Sequence, residues 1–172
     1  MVTHTDEKNV MLINILKEAI SIEIYGREYY LRFSDLIEDE NARSIFRGLS
    51  RDEEEHLMLL ENEYNKIAVM PFDARDDDAT NKEKANSIFP ESHKSLNVKE
   101  TVDVLKLGIR TEERSIELYS NAAKKTDVGS SKDLFMKLAQ IERKHKEMLE
   151  DSMYYFDQGG SWYGYSPPSL EG

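Results

Sequence analysis

Residues 46–60 read FRGLSRDEEEHLMLL, and residues 135–149 read FMKLAQIERKHKEML. When the two stretches are aligned at a shift of 89 positions, the same residue types coincide in the order Phe, Leu, Glu, His and Leu. These positions are three or four residues apart, which places them on one face of an α-helix. The two stretches therefore predict two similar helices, each with a Glu-x-x-His pair inside an apolar stripe.

The repeat continues upstream of both stretches. Identical residues pair at the same shift: Leu16 with Leu105, Ile20 with Ile109, Glu23 with Glu112, and Tyr30 with Tyr119. Helical periodicity predicts one hairpin from helices at about 7–36 and 41–68, and another from helices at about 98–125 and 131–156. Two related hairpins predict a bundle with pseudo-two-fold symmetry, in which equivalent residues of both halves meet at the axis.

Polar residues mark the predicted helix boundaries. Asp39 or Asn41 can cap the second helix, and Asn97 with Glu100 three residues later resembles a capping box for the third. The segment 129–131, Gly-Ser-Ser, predicts the turn between the third and fourth helices.

The chain between the hairpins, about 70–96, is polar and contains two prolines and a run of acidic residues. Long connections are uncommon in compact domains, but bundles with one long crossover are an established arrangement, the ferritin-like one. The sequence thus predicts a single all-α domain over 1–172: a ferritin-like four-helix bundle of two hairpins joined by a long crossover. The segment of about 157–172 predicts an irregular aromatic tail, which we expect to pack on the bundle or on a neighbouring subunit.

The composition excludes several classes of function. The chain has 172 residues, a net charge of -11 and no cysteine. The negative charge argues against nucleic acid and against an anionic membrane surface as partners. Without cysteine, disulfides, iron–sulfur clusters and thiolate zinc sites are excluded. No segment has the length of a membrane span or the pattern of a signal peptide, so we expect a cytoplasmic protein.

Each predicted helix turns an ionisable side chain toward the core at about mid-length. The residues concerned are four glutamates and two histidines: Glu23, Glu53, His56, Glu112, Glu142 and His145. Four buried carboxylates would each cost several kcal/mol if left uncompensated, whereas two divalent cations would neutralise them and imidazoles would complete the coordination. Oxygen and nitrogen ligands without sulfur suit iron or manganese, and zinc could also bind. The alternatives are a bundle whose metal site has been lost, or carboxylates that pair with Arg27 and other bases.

Other polar residues have less defined roles. Tyr30 and Tyr119 each follow a core glutamate by seven residues, so each could donate a hydrogen bond to a ligand carboxylate or simply pack in the core. Arg27, which aligns with Ile116, could offset carboxylate charge or extend to the surface. His4 and His93 lie outside the apolar stripes, and we expect them to be solvated.

These motifs resemble the rubrerythrin family from about Ile13 to Leu149. The residues that carry the resemblance are Glu23 with Tyr30, Glu53-Glu54-Glu55-His56, Glu112 with Tyr119, and Glu142-Arg143-Lys144-His145. The resemblance implies two iron ions bound by the six core residues, and reduction of peroxide at that site. Members of this family commonly form dimers and act against oxidative stress, so the resemblance also implies a homodimer.

Two departures from the family pattern affect this expectation. Rubrerythrins proper carry a four-cysteine rubredoxin domain, so the cysteine-free chain is expected to receive electrons from a separate protein. A further glutamate of typical members, one turn after the third-helix ligand, is replaced by Ser115. The leading hypothesis is a non-haem di-iron oxidoreductase that reacts with peroxide or dioxygen. The alternatives are oxidation and storage of ferrous iron, and a metal-stabilised interaction or sensor module.

Overall fold

The computed structural model describes residues 4–68, 70–72 and 101–157 and forms an antiparallel helical bundle there. Its helices are α1 (His4–Leu36), α2 (Glu40–Ile67), α3 (Thr101–Lys125) and α4 (Gly129–Asp157). The four predicted helices are confirmed, with boundaries that move by a few residues. The predicted crossover, the Asn97–Glu100 capping box, His93 and the aromatic tail lie wholly or almost wholly outside the described residues.

The bundle consists of two hairpins. Helix α1 packs along α2 and α3 packs along α4, and the hairpins meet through contacts of α1 with α3 and of α2 with α4. This pairing agrees with the arrangement that the repeat predicts. None of the described helices combines the length and the apolar character that a bilayer span requires.

The turn between α1 and α2 is held by two side chains from its α2 end, one contacting the start of α2 and the other the chain that follows α1. The Asp39 carboxylate accepts a hydrogen bond from the Ala42 backbone N–H at 2.9 Å, so Asp39 rather than Asn41 is the N-cap. Arg43 donates from Nε and Nη2 to the Ile37 carbonyl, at 3.1 and 2.9 Å. Both contacts satisfy backbone groups that a helix end leaves without an intrahelical partner.

The prediction of a turn at residues 129–131 is wrong. Helix α4 begins at Gly129, and the connection is the shorter segment 126–128. The Lys132 N–H donates to the Val128 carbonyl at 2.9 Å, which starts the helical ladder before the two serines. Ser130 and Ser131 instead occupy the first turn, where their hydroxyls donate to the Glu63 carboxylate at 2.7 Å each.

The core has two apolar layers with a charged layer between them. One apolar layer contains the first half of α2 and the second half of α1, with Phe33, Phe46 and Leu105 among its buried residues. The other contains Leu16, Leu60 and Phe135. Along each helix the predicted ligands lie at the change from one layer to the other. The fold thus places the ionisable residues at the middle of the bundle, away from both ends.

Candidate metal centre

The six predicted ligands are all buried in the middle layer of the bundle. The exposed fraction of each residue is between 0% and 4%: Glu23, Glu53, His56, Glu112, Glu142 and His145. Helix α1 supplies the first, α2 the next two, α3 the fourth and α4 the last two. The spacing of three between Glu and His in α2 and α4 puts both side chains on the same helical face.

Two overlapping groups of ligand atoms lie in this layer, and within each group all atoms are within 4.8 Å of one another. The first group, the Glu23 subsite, comprises Glu23, Glu53, His56 and Glu142. The second group, the Glu112 subsite, comprises Glu53, Glu112, Glu142 and His145. Glu53 and Glu142 belong to both groups, so the two groups share two carboxylates.

Both histidines turn the same ring nitrogen toward the carboxylates. The Nδ1 atom of His56 is 3.1 Å from both Glu53 Oε2 and Glu142 Oε1, and 3.5 Å from Glu23 Oε2. The Nδ1 atom of His145 is 2.9 Å from Glu142 Oε2 and 3.9 Å from Glu112 Oε2. The imidazole rings stack with centroids 5.7 Å apart. Nδ1 is therefore the atom that either histidine would offer to a cation.

When no cation is bound, two carboxyl groups of this layer have raised pKa values. Burial raises the pKa of Glu23 well above its ordinary value, and the nearby Glu53 charge raises it further. Burial and the charge of Glu142 do the same to the pKa of Glu112. A buried carboxyl group that cannot be compensated takes up a proton, because the neutral form is cheaper to desolvate.

The pKa values of both histidines are raised as well, which favours their charged form. Burial would lower the pKa of His56, but the charges of Glu142 and Glu23 outweigh it and raise the pKa well above the ordinary value. Burial opposes the charged form of His145 too, yet hydrogen bonds to Asp52 and Glu142 raise its pKa to about 10. Burial would raise the pKa of Glu142, and the imidazolium charges hold it below its usual range. Protons thus supply the positive charge that a divalent cation would otherwise supply.

The donor set fits divalent metal ions. Glu112 Oε2 is a buried oxygen without a hydrogen-bond partner in the part of the chain that is described. A buried acceptor without a partner costs about 1–3 kcal/mol, more when charged, and a coordinated cation would remove that cost. Carboxylate oxygens with imidazole nitrogens suit iron, manganese or zinc.

Asp52 contacts the candidate centre, although it was not predicted from the sequence. Its Oδ2 atom accepts a hydrogen bond from His145 Nε2 at 2.9 Å, and the residue is buried. Leu49, Asp52, Glu53 and His56 are at positions i, i+3, i+4 and i+7 of α2, so helical spacing could have found it. A carboxylate on the second nitrogen of a histidine fixes its tautomer and leaves Nδ1 free to bind a metal.

The two tyrosines and the arginine that the sequence placed near the glutamates make different contacts. Tyr30 donates a hydrogen bond to Glu112 Oε1. The Tyr119 hydroxyl is buried and has no hydrogen-bond partner among the described residues, while its ring stacks on Phe135. Arg27 forms an ion pair with Glu54 at the edge of the bundle, so its charge is directed away from the six core residues.

Comparisons with known proteins agree with this architecture. A family model described as Rubrerythrin matches residues 14–153. A hypothetical protein from Pyrococcus furiosus is similar in structure with a TM-score of 0.66 and 22% identity, over 88% of this chain and 93% of that one.

A second similar structure is the bacterioferritin-related protein from Bacteroides fragilis, described as a dodecameric thioferritin. Its TM-score is 0.70 at 19% identity, over 88% of each chain. No curated protein matches the sequence. These likenesses confirm the predicted ferritin-like four-helix fold.

Proposed function

Because the chain belongs to the rubrerythrin family, we propose that its six core residues hold a pair of iron ions that react with peroxide or dioxygen. Glu23 and His56 would hold one ion, Glu112 and His145 would hold the other, and Glu53 and Glu142 would be shared by both. The observation that carries the proposal is that the two ligand groups share these two glutamates. A shared pair of carboxylates is what a two-metal centre requires, whereas two unrelated ion sites would not share ligands.

Bound iron would supply the electrons that reduce peroxide or dioxygen. The chain's own residues would hold the ions in a layer that is sealed by apolar residues on both sides. Tyr30 orients the Glu112 carboxylate, and Asp52 orients the His145 ring. Protons that leave Glu23, Glu112 and the histidines when the ions bind preserve the charge balance of the layer. The electrons are replaced by a separate donor protein.

Metal content after anaerobic loading with ferrous iron tests the proposal. We expect two iron ions per wild-type chain and a loss of tight binding in Glu53→Ala. The matched control is Glu54→Ala, which removes the neighbouring glutamate, since Glu54 pairs with Arg27 outside the ligand layer. If wild type binds no iron, or if Glu54→Ala loses as much iron as Glu53→Ala, the proposed centre is wrong.

Peroxide consumption with a supplied electron donor then separates the functions. An oxidoreductase consumes peroxide through many turnovers, and Glu53→Ala abolishes the activity while Glu54→Ala retains it. Turnover with dioxygen in place of peroxide would identify the other oxidant. A protein that reoxidises only once per bound iron pair, with no further turnover, would contradict the enzymatic proposal.

Iron oxidation and storage is the second candidate function. Ser115 stands where the family resemblance expects a further glutamate, and the similar bacterioferritin-related protein is dodecameric. We propose that this chain also assembles into an oligomer, with a homodimer as the smallest form. Iron loading far beyond two ions per chain in a large assembly would favour storage, whereas saturation at two ions in a dimer would favour the oxidoreductase.

A further inference from the structure

The two histidines of the ligand layer are related by the repeat, but the repeat does not provide the same partner for their second ring nitrogens. His145 Nε2 donates to the buried Asp52 carboxylate at 2.9 Å. At the shift of 89 positions, the residue that corresponds to Asp52 is Ile141, which is buried and has no polar atom in its side chain. Asp52 therefore provides a carboxylate partner for His145, whereas Ile141 cannot provide one for His56.

Glu23 and Glu112 each belong to only one subsite, and the tyrosines that the repeat assigns to them also differ in their hydrogen bonds. Tyr30 donates a hydrogen bond to Glu112 Oε1, whereas the corresponding Tyr119 hydroxyl has no hydrogen-bond partner within the described residues. Tyr30 and Asp52 both belong to the first hairpin, and the ligands that they contact both belong to the second. Glu112 and His145 belong to the Glu112 subsite alone, and both are thus oriented by hydrogen bonds from the opposite hairpin.

Such contacts change metal affinity through the ligands that they hold. A carboxylate on Nε2–H fixes the tautomer in which Nδ1 carries the lone pair, and it makes the imidazole a better donor. A hydrogen bond to one glutamate oxygen leaves the other, here Glu112 Oε2, without a hydrogen-bond partner among the described residues and 3.9 Å from His145 Nδ1. Ligands that are already oriented lose less conformational freedom when the ion arrives.

From these contacts we propose that the two subsites bind metal with unequal affinity. The Glu112 subsite fills first because Asp52 and Tyr30 hold His145 and Glu112 in place, and the Glu23 subsite fills second. Asp52 is a positioning residue that acts through His145. This inference rests on the proposed function, because it requires that the six core residues bind two ions.

Titration of the metal-free protein with Zn²⁺ against a chromophoric chelator tests the inference without any enzymatic assay. We expect two binding steps in wild type. In Asp52→Asn the tighter step weakens about 10- to 100-fold, which is the usual cost of losing such a partner, while the weaker step is unchanged. An amide can also donate to Nε2 and stabilise the tautomer that blocks Nδ1. Asp52→Glu, which retains the carboxylate, recovers part of the affinity.

Two further variants assign the steps to subsites. His56→Gln leaves the Glu112 subsite with its histidine, and His145→Gln leaves the Glu23 subsite with its own. We expect His56→Gln to bind its remaining ion more tightly than His145→Gln does. The reverse order would overturn the proposal, as would equal affinities in the two variants.

Glu63→Gln is the matched control for Asp52→Asn, since it also removes a buried carboxylate charge from α2 by an isosteric change. Glu63 is hydrogen-bonded to Ser130 and Ser131, which are not ligands. We expect both binding steps to remain as in wild type. If Asp52→Asn weakens neither step, or weakens both equally, the inference falls and the two-ion centre stands. If wild type binds no Zn²⁺ and no ferrous iron, the proposed function falls as well.

Discussion

The Glu63 carboxylate of α2 accepts a hydrogen bond from the Ser131 hydroxyl of α4 at 2.7 Å, and the residues are 68 positions apart in the chain. The same Oε1 atom accepts from Ser130, and Lys66 donates to Oε2 at 2.9 Å. Burial would raise the pKa of Glu63, but these hydrogen bonds outweigh it and lower the pKa. The last turns of α2 are therefore tied to the first turn of α4 by an ionised side chain.

We predict that Glu63→Gln lowers the free energy of unfolding of the metal-free protein by about 1–3 kcal/mol at neutral pH, the usual value of hydrogen bonds to a buried charged group. Because the folded pKa is lower than the unfolded one, this contribution is present above the unfolded value and is lost as pH falls through the folded pKa. Urea unfolding at several pH values should show the difference between wild type and variant shrinking toward acid. The exposed Glu55, changed to Gln, is the control and should cost nothing measurable; a difference independent of pH would contradict the prediction.

Metal affinity is predicted to rise with pH. The raised pKa values of Glu23 and Glu112, and the pKa of about 10 for His145, mean that an ion must displace protons in order to bind. Calorimetric titration with Zn²⁺ in buffers of different ionisation enthalpy should reveal proton release at neutral pH. Binding without proton release would show that the ligand layer is already deprotonated in the metal-free protein.

The metal-free protein should become less stable as the solution becomes alkaline. A group whose folded pKa is raised contributes stability below its unfolded pKa, about 6.5 for histidine, and this contribution is lost as pH rises through the folded value, about 10 for His145. The carboxyl groups of Glu23 and Glu112 act in the same direction. The increase in Tm on adding Zn²⁺ should therefore be larger at pH 9 than at pH 6. An increase that is smaller at the higher pH would contradict this sign.

The two apolar layers should contribute independently to stability. Leu16 and Leu105 are related by the repeat, are fully buried, and belong to different layers on opposite sides of the charged residues. Truncation of either to alanine should cost about 2–5 kcal/mol. Because the two side chains belong to separate clusters, the double variant should cost the sum of the single variants to within about 0.5 kcal/mol. A large coupling energy in this cycle would show that the layers are not separate.

The repeat explains why the buried residues of the candidate centre could be singled out from the sequence. A glutamate in an apolar stripe has many explanations, but Glu23 and Glu112 occur at the same place in two halves, as do the two Glu-x-x-His pairs. The repeat did not reveal Asp52, because its counterpart Ile141 is apolar and position 52 is therefore not part of the shared pattern. The fact that Ile141 is apolar was itself a signal that position 52 faces the interior.

Long-range contacts account for the turn that was predicted wrongly. Gly-Ser-Ser is typical of a connection when only local preferences are considered. Here the serine hydroxyls are held by Glu63, from a different helix, and the helical ladder can therefore start at Val128. The sequence also could not predict where the Arg27 side chain points, because a long side chain near the core can form an ion pair either inside the bundle or at its surface. Its ion pair with Glu54 decides the question.

The repeat-related tyrosines should differ in how much stability is lost with the hydroxyl group. Tyr30→Phe removes a buried hydrogen bond to Glu112 and leaves a carboxyl oxygen without its donor, so we expect a loss of about 1–3 kcal/mol in the metal-free protein. Tyr119→Phe removes a buried hydroxyl that has no hydrogen-bond partner among the described residues, and it should be neutral or stabilising. Thermal and urea unfolding of both variants measure the difference, and each serves as the control for the other, since the same atom is removed from the same residue type. Equal destabilisation by the two changes would mean that the Tyr119 hydroxyl has a partner of similar strength. One of the two differences on which the inequality of the subsites rests would then be absent.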